Sequence, residues 1–72
     1  MPSFNERLVQ LQNEHKLLKK SIAEAVGISA MAYYRYETGE RLPPSDILAK
    51  FADFFNVSTD YLLGRSNNPQ RY

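Results

Sequence analysis

Apolar residues recur at helical spacing along most of this chain, and the breaks between the periodic runs carry capping and turn residues. Phe4, Leu8 and Leu11, continued by His15, predict a first helix of about three turns. Ser3 is its N-cap, and Glu6, three residues later, is placed to complete a capping box. Glu6, Arg7, Gln10 and Glu14 fall on the face expected to meet solvent. Ile22, Ala23 and Val26 then give a second helix a small apolar face, and Gly27 ends it because glycine enters the left-handed conformation without a Cβ clash. Ile28 is expected inside the turn, and Ser29 caps a third helix whose Ala32, Tyr33 and Tyr36 face back toward the second. The spacing leaves Tyr34 open between core and surface. Gly39 closes that helix, and Pro43 and Pro44 keep the next connection extended.

A fourth helix starts at Pro44 or Ser45, with Asp46 complementing its dipole and Ile47, Leu48, Phe51, Ala52, Phe54 and Phe55 on an apolar face. That set is wider than one stripe, which leaves Phe54 partly exposed or available to a partner. Asn56 suits a left-handed terminus. Ser58 caps a last short helix through Leu63, which Gly64 ends. Arg65 to Tyr72 is polar, contains Asn67-Asn68-Pro69, shows no periodicity and reads as a flexible tail. The expected fold class is therefore all-α, a compact bundle of about five short helices.

Two short helices meeting at a steep angle across a glycine-containing turn, over Leu17 to Gly39, make a helix-turn-helix unit. The run Ile22-Ala23-Glu24-Ala25-Val26-Gly27-Ile28-Ser29 is followed by Arg35-Tyr36-Glu37-Thr38-Gly39-Glu40-Arg41 and Pro44. Asn56-Val57-Ser58-Thr59-Asp60-Tyr61-Leu62-Leu63-Gly64 comes after them. Together these runs resemble the phage repressor and Cro type of helix-turn-helix domain, the Xre family, over roughly residues 4 to 64. The resemblance implies a lambda-repressor-like DNA-binding domain at 1–64, with its helix-turn-helix unit at about 18–38, followed by the tail at 65–72. It also implies sequence-specific binding of double-stranded operator DNA by a homodimer, usually to repress or switch transcription, in a phage or bacterial mobile element.

With 72 residues, 43% of them hydrophobic and 24% charged, the chain has room for one small domain of ordinary globular composition. It has no cysteine, hence no disulfide framework or thiolate metal site, and its one histidine near a helix end suits the dipole better than a metal. No cofactor is expected. Neither a basic apolar leader nor a membrane-length run is present, so the default location is cytoplasmic and no membrane partner is expected. An enzyme is not expected either, since there is no Gly-rich phosphate loop and no acid pair in a predicted cleft.

The formal net charge of +1 is low for a nucleic-acid binder, so any electrostatic case rests on where the charges lie. Lys16, Lys19 and Lys20 cluster at the start of the second helix, where the amides and the dipole already favour a phosphate. Arg41 and Ser29 complete the phosphate-contact candidates. In the resembled family the exposed residues of the third helix read bases, which implies Ala30, Met31, Tyr34, Arg35 and Thr38 here. Arg35 suits guanine O6 and N7, while Ala30 and Met31 suit a thymine methyl. The dimer surface is expected around Phe54, Tyr61 and Leu62.

Several positions depart from the family pattern. Its usual Ser or Thr cap on the second helix and the Gln after it are matched here by Leu18 and Lys19, which removes the cap. Glu37, which in the family often pairs with an arginine of the first helix, meets Gln12 instead, implying a neutral-partner hydrogen bond. A second reading is a protein-interaction module, antirepressor- or antitoxin-like, that docks a protein partner on an apolar Met31 and Tyr34 surface.

Overall fold

The computed structural model describes residues 2–71, so Met1 of the expected domain and Tyr72 of the expected tail lie outside the described residues. Five helices follow one another: α1 (Phe4–His15), α2 (Lys19–Val26), α3 (Ala30–Thr38), α4 (Ser45–Phe55) and α5 (Thr59–Leu62). The all-α bundle of five short helices expected from the sequence is what the described residues form.

Local chemistry sets each boundary. The Ser3 N–H donates to Glu6 Oε1 at 2.9 Å, the Glu6 half of the capping box. Ala32 N–H donates to Ser29 Oγ at 3.0 Å and Tyr61 N–H to Ser58 Oγ at 3.1 Å, so both predicted serine caps form. Gly27 (φ 78°) and Gly39 (φ 82°) end α2 and α3 in the left-handed region, as Asn56 (φ 56°) ends α4. Lys16 also takes a left-handed conformation (φ 54°), an unfavourable one for a lysine that the sequence did not signal.

Phe51 of α4 is fully buried and forms the hub of the core. Its ring centroid lies 6.1 Å from Phe4, 6.0 Å from Tyr33 and 6.1 Å from Tyr36, all tilted or edge-on, the arrangement aromatic quadrupoles favour. Leu8, Leu11, Ile22, Val26 and Leu62 fill the space around it. α3 packs against both α1 and α2, α2 also against α4, and α5 closes the bundle against α1 and α4. Ala23, with its minimal side chain, sits buried where α2 and its neighbours approach.

Two placements differ from the sequence reading. Arg7, expected on the solvent face of α1, is buried. Its Nε donates to the Tyr61 C=O at 3.1 Å, its Nη1 to Gln10 Oε1 at 3.3 Å, and its guanidinium lies 3.8 Å from the Tyr61 ring centroid. A cation is tolerated there because its planar fork finds a backbone carbonyl at the end of α5 and an aromatic face at once. The polar segment after α5, expected to be loose, runs back against the bundle. Ser58 N–H donates to the Pro69 C=O at 3.0 Å, and Arg71 Nη1 to the Ala52 C=O at 3.3 Å, with Asp53 pairing to Nη2.

Gly64 (φ 76°) brings the end of α5 against the start of the chain. A Cβ there would lie 1.8 Å from the Pro2 carbonyl oxygen, so only glycine fits.

Candidate nucleic-acid interface

α3 is amphipathic in a way its apolar composition hides. Tyr33, Tyr36 and Glu37 fall at i, i+3 and i+4 and are buried, while Ala30, Met31, Tyr34 and Thr38 are exposed. Met31 is 60% and Tyr34 53% exposed, so the structure settles Tyr34 as a surface residue and leaves a methionine and an aromatic ring facing outward from the helix. Arg35 stands at the border of this face, half-buried.

The inward face holds a polar network. Glu37 Oε2 accepts from the Tyr33 hydroxyl at 3.0 Å, and Glu37 Oε1 lies 3.1 Å from Lys19 Nζ. Burial pushes the Tyr33 hydroxyl well above the usual tyrosine range, and the adjacent Glu37 carboxylate adds to that shift. Gln12 does not take the place of the family's arginine: its Nε2 donates to the Leu17 C=O at 3.2 Å, and its Oε1 only approaches the Tyr33 hydroxyl at 3.5 Å. The carboxylate's cation comes instead from the first residue of α2. The clue in the sequence was the spacing of Glu37 with Tyr33 and Tyr36, which puts a carboxylate on the buried face and demands a cation nearby.

At the start of α2, Leu18 occupies the N-cap position with no side-chain cap, as its apolar side chain implied, and it is 73% exposed. The first-turn amides beside Lys19 and Lys20 therefore have no side-chain cap. Lys19 Nζ also lies 5.6 Å from the Tyr34 ring centroid, linking this helix end to the exposed face of α3. Lys16, Lys20 and Arg41 are exposed and make no ion pair among the described residues. Ser29 is exposed at the α3 N-cap, where its hydroxyl proton is still free to donate after Oγ accepts from Ala32.

Cations and acids are not fully separated on this face. Arg35 Nε lies 3.6 Å from Glu40 Oε2, so an acid stands beside the principal base-reading candidate. Thr38, another candidate, spends its hydroxyl on local structure, donating to the Arg35 C=O at 3.1 Å and accepting from Glu40 N–H at 3.4 Å. Asp53 and Asp60 pair with Arg71 and Arg65, outside the helix-turn-helix unit.

The dimer candidates divide. Phe54 is 37% exposed, whereas Leu62 is fully buried and Tyr61 only 8% exposed. Leu62 and Tyr61 point into the bundle because α5 is a single turn whose apolar side closes the core, so neither offers a surface to a partner. Leu63, 37% exposed, is the outward residue there.

The helix-turn-helix family model matches residues 10–62, which span the second half of α1 and all of α2, α3, α4 and α5. The chain belongs to the helix-turn-helix family. That match supports the Xre-type resemblance read from its motifs. The chain is 41% identical over 66 residues to the uncharacterized HTH-type transcriptional regulator YobD of Bacillus subtilis, covering 92% of this chain and 59% of that protein. It is also 41% identical over 59 residues to the cryptic phage CTXphi transcriptional repressor RstR of Vibrio cholerae, covering 78% of this chain and 53% of the repressor. The chain thus spans a little over half the length of these two relatives. Its fold superposes on the P22 c2 repressor, crystallised with synthetic operator 9T, with a TM-score of 0.85 at 24% identity, over 92% of this chain and all of that one. Among the described residues no helix is long and apolar enough to cross a membrane, and no group of three or more His, Cys, Asp and Glu gathers as a metal site.

Proposed function

We propose that this chain is a sequence-specific DNA-binding transcriptional regulator, a repressor of phage or mobile-element type working in the cytoplasm. The observation that carries the reading is the outward face of α3, with Met31, Tyr34 and Arg35 beside the uncapped start of α2. Relatives described as transcriptional regulators, one of them a phage repressor, support it. In this reading residues 1–64 form the DNA-binding domain and 65–72 a polar tail.

α3 enters the major groove. Arg35 donates its fork to guanine O6 and N7, Tyr34 lays its ring or hydroxyl on a base edge or phosphate, and Ala30 and Met31 meet thymine methyls. Thr38 supports the end of the helix. Lys16, Lys20, Ser29 and Arg41 contact phosphates, as does Lys19 with the donors Glu37 leaves free. The open amides of α2 add the helix-terminus contribution. A surface this small reads a half-site, so two copies pair through Phe54 and Leu63 on an inverted repeat with half-sites about 34–36 Å apart.

The exposed Leu18, Met31 and Tyr34 also favour a second reading, in which the same face docks a protein. Selection of a random duplex library on the purified chain separates the two. An inverted-repeat winner that outcompetes a scrambled duplex, with a steep fall of affinity with salt, supports the regulator. Equal, feeble binding to both duplexes overturns it and favours the protein-docking surface.

A further inference from the structure

The Arg35–Glu40 pair has a specific geometry. The closest approach is from Nε, 3.6 Å from Glu40 Oε2. Glu40 is held in place by the end of α3 itself: its N–H donates to Thr38 Oγ1, whose hydroxyl donates to the Arg35 C=O, and the Arg41 N–H donates to the same carbonyl at 3.3 Å. The backbone carrying the acid is thus tied to the backbone carrying the arginine.

We propose that Glu40 is a specificity-determining residue that positions Arg35 for a guanine, an assignment that rests on the DNA-binding reading above. A carboxylate on Nε leaves the two Nη donors for the bidentate guanine contact and limits the directions in which the fork can turn. On a non-cognate duplex the same carboxylate offsets the arginine's charge and lowers its gain from a phosphate. One acid therefore favours the cognate complex and weakens the others. The low net charge of the chain fits this arrangement, since general attraction to the polyanion is held down while the base-reading group keeps its donors.

The test titrates wild type, Glu40→Gln and Glu14→Gln against the selected duplex and its scramble over a range of salt. Glu14, held by the neutral Gln10 amide on α1, removes the same charge without touching a cation. Glu40→Gln is exposed and lies outside the core, so it should fold. The expected result is a several-fold drop in the preference for the selected duplex. Tighter binding to the scramble should produce it, with a log–log salt slope steeper by up to about 0.9, the value for one added phosphate contact. The effect should vanish when Arg35→Ala is the background. A Glu40→Gln preference equal to that of Glu14→Gln overturns the assignment of Glu40 while leaving the regulator reading intact. A wild type with no duplex preference overturns both.

Discussion

The Tyr33 hydroxyl donates to one oxygen of Glu37 at 3.0 Å while Lys19 Nζ sits 3.1 Å from the other, so a single buried carboxylate joins α2 to α3. Tyr33→Phe keeps the ring against Phe51 and removes only the donor. A buried hydrogen bond to a charged group is worth about 1.5–3 kcal/mol, and urea unfolding should show a loss of that size. The pH dependence follows from the raised folded-state value. Stability from the Tyr33 hydroxyl is full below the ordinary tyrosine pKa of about 10 and is lost as pH rises beyond it, because the unfolded chain ionises first. The difference in midpoint between wild type and Tyr33→Phe should therefore shrink on the alkaline side.

Arg7 carries the second buried polar contact. Arg7→Ala leaves the Tyr61 carbonyl without its guanidinium donor and strips the Tyr61 ring of its stacked cation, at a cost of about 1.5–3 kcal/mol. Arg7→Lys keeps the charge and should recover only part of the loss, because a point-like ammonium cannot serve the carbonyl, Gln10 and the ring together. Thermal melting of the two variants beside wild type checks the order.

Glu6 sets an acid limb. Its carboxyl is held below the usual glutamate range mainly by the Ser3 N–H, with the Ser3 hydroxyl adding to it. A lowered folded-state value means that this contribution is present above the ordinary glutamate pKa and is lost as pH falls through the lower folded one. Glu6→Gln should show a shallower acid limb than wild type, read by helix signal against pH.

On DNA, Lys20→Gln should weaken binding to all duplexes alike and reduce the salt slope by about 0.9, the mark of a phosphate contact. Arg35→Ala should instead cost about 1–3 kcal/mol on the selected duplex and relax preference at one base pair. Competition binding with single-position variants of the duplex distinguishes them.

The helices were legible in the sequence because their boundaries rest on residues with one strong local preference. Ser3, Ser29 and Ser58 cap, Gly27, Gly39 and Asn56 turn left-handed, and the two prolines hold the α3–α4 connection out of a helix. The polar contacts between elements were not legible. Arg7 reads as a surface residue until the α5 carbonyl that accepts from it is in place, and Lys19 reads as a free cation until Glu37 is seen on the buried side of α3. The sequence offers Tyr61 and Leu62 as dimer candidates, whereas a single-turn helix has only one apolar side and turns it to the core. Spacing along one helix fixes which residues share a face; it does not fix which distant group answers them.

The seam between Gly64 and the Pro2 carbonyl bears on the kinetics of the domain. It joins residues near opposite ends of the chain, so its closure has to meet the entropy of a very long loop and is expected late in folding. Such a contact is expected to form on the native side of the folding barrier. Loosening it is expected to hasten unfolding and leave the rate of folding almost untouched, which makes this narrow strip of backbone the guardian of the domain's lifetime rather than of its assembly.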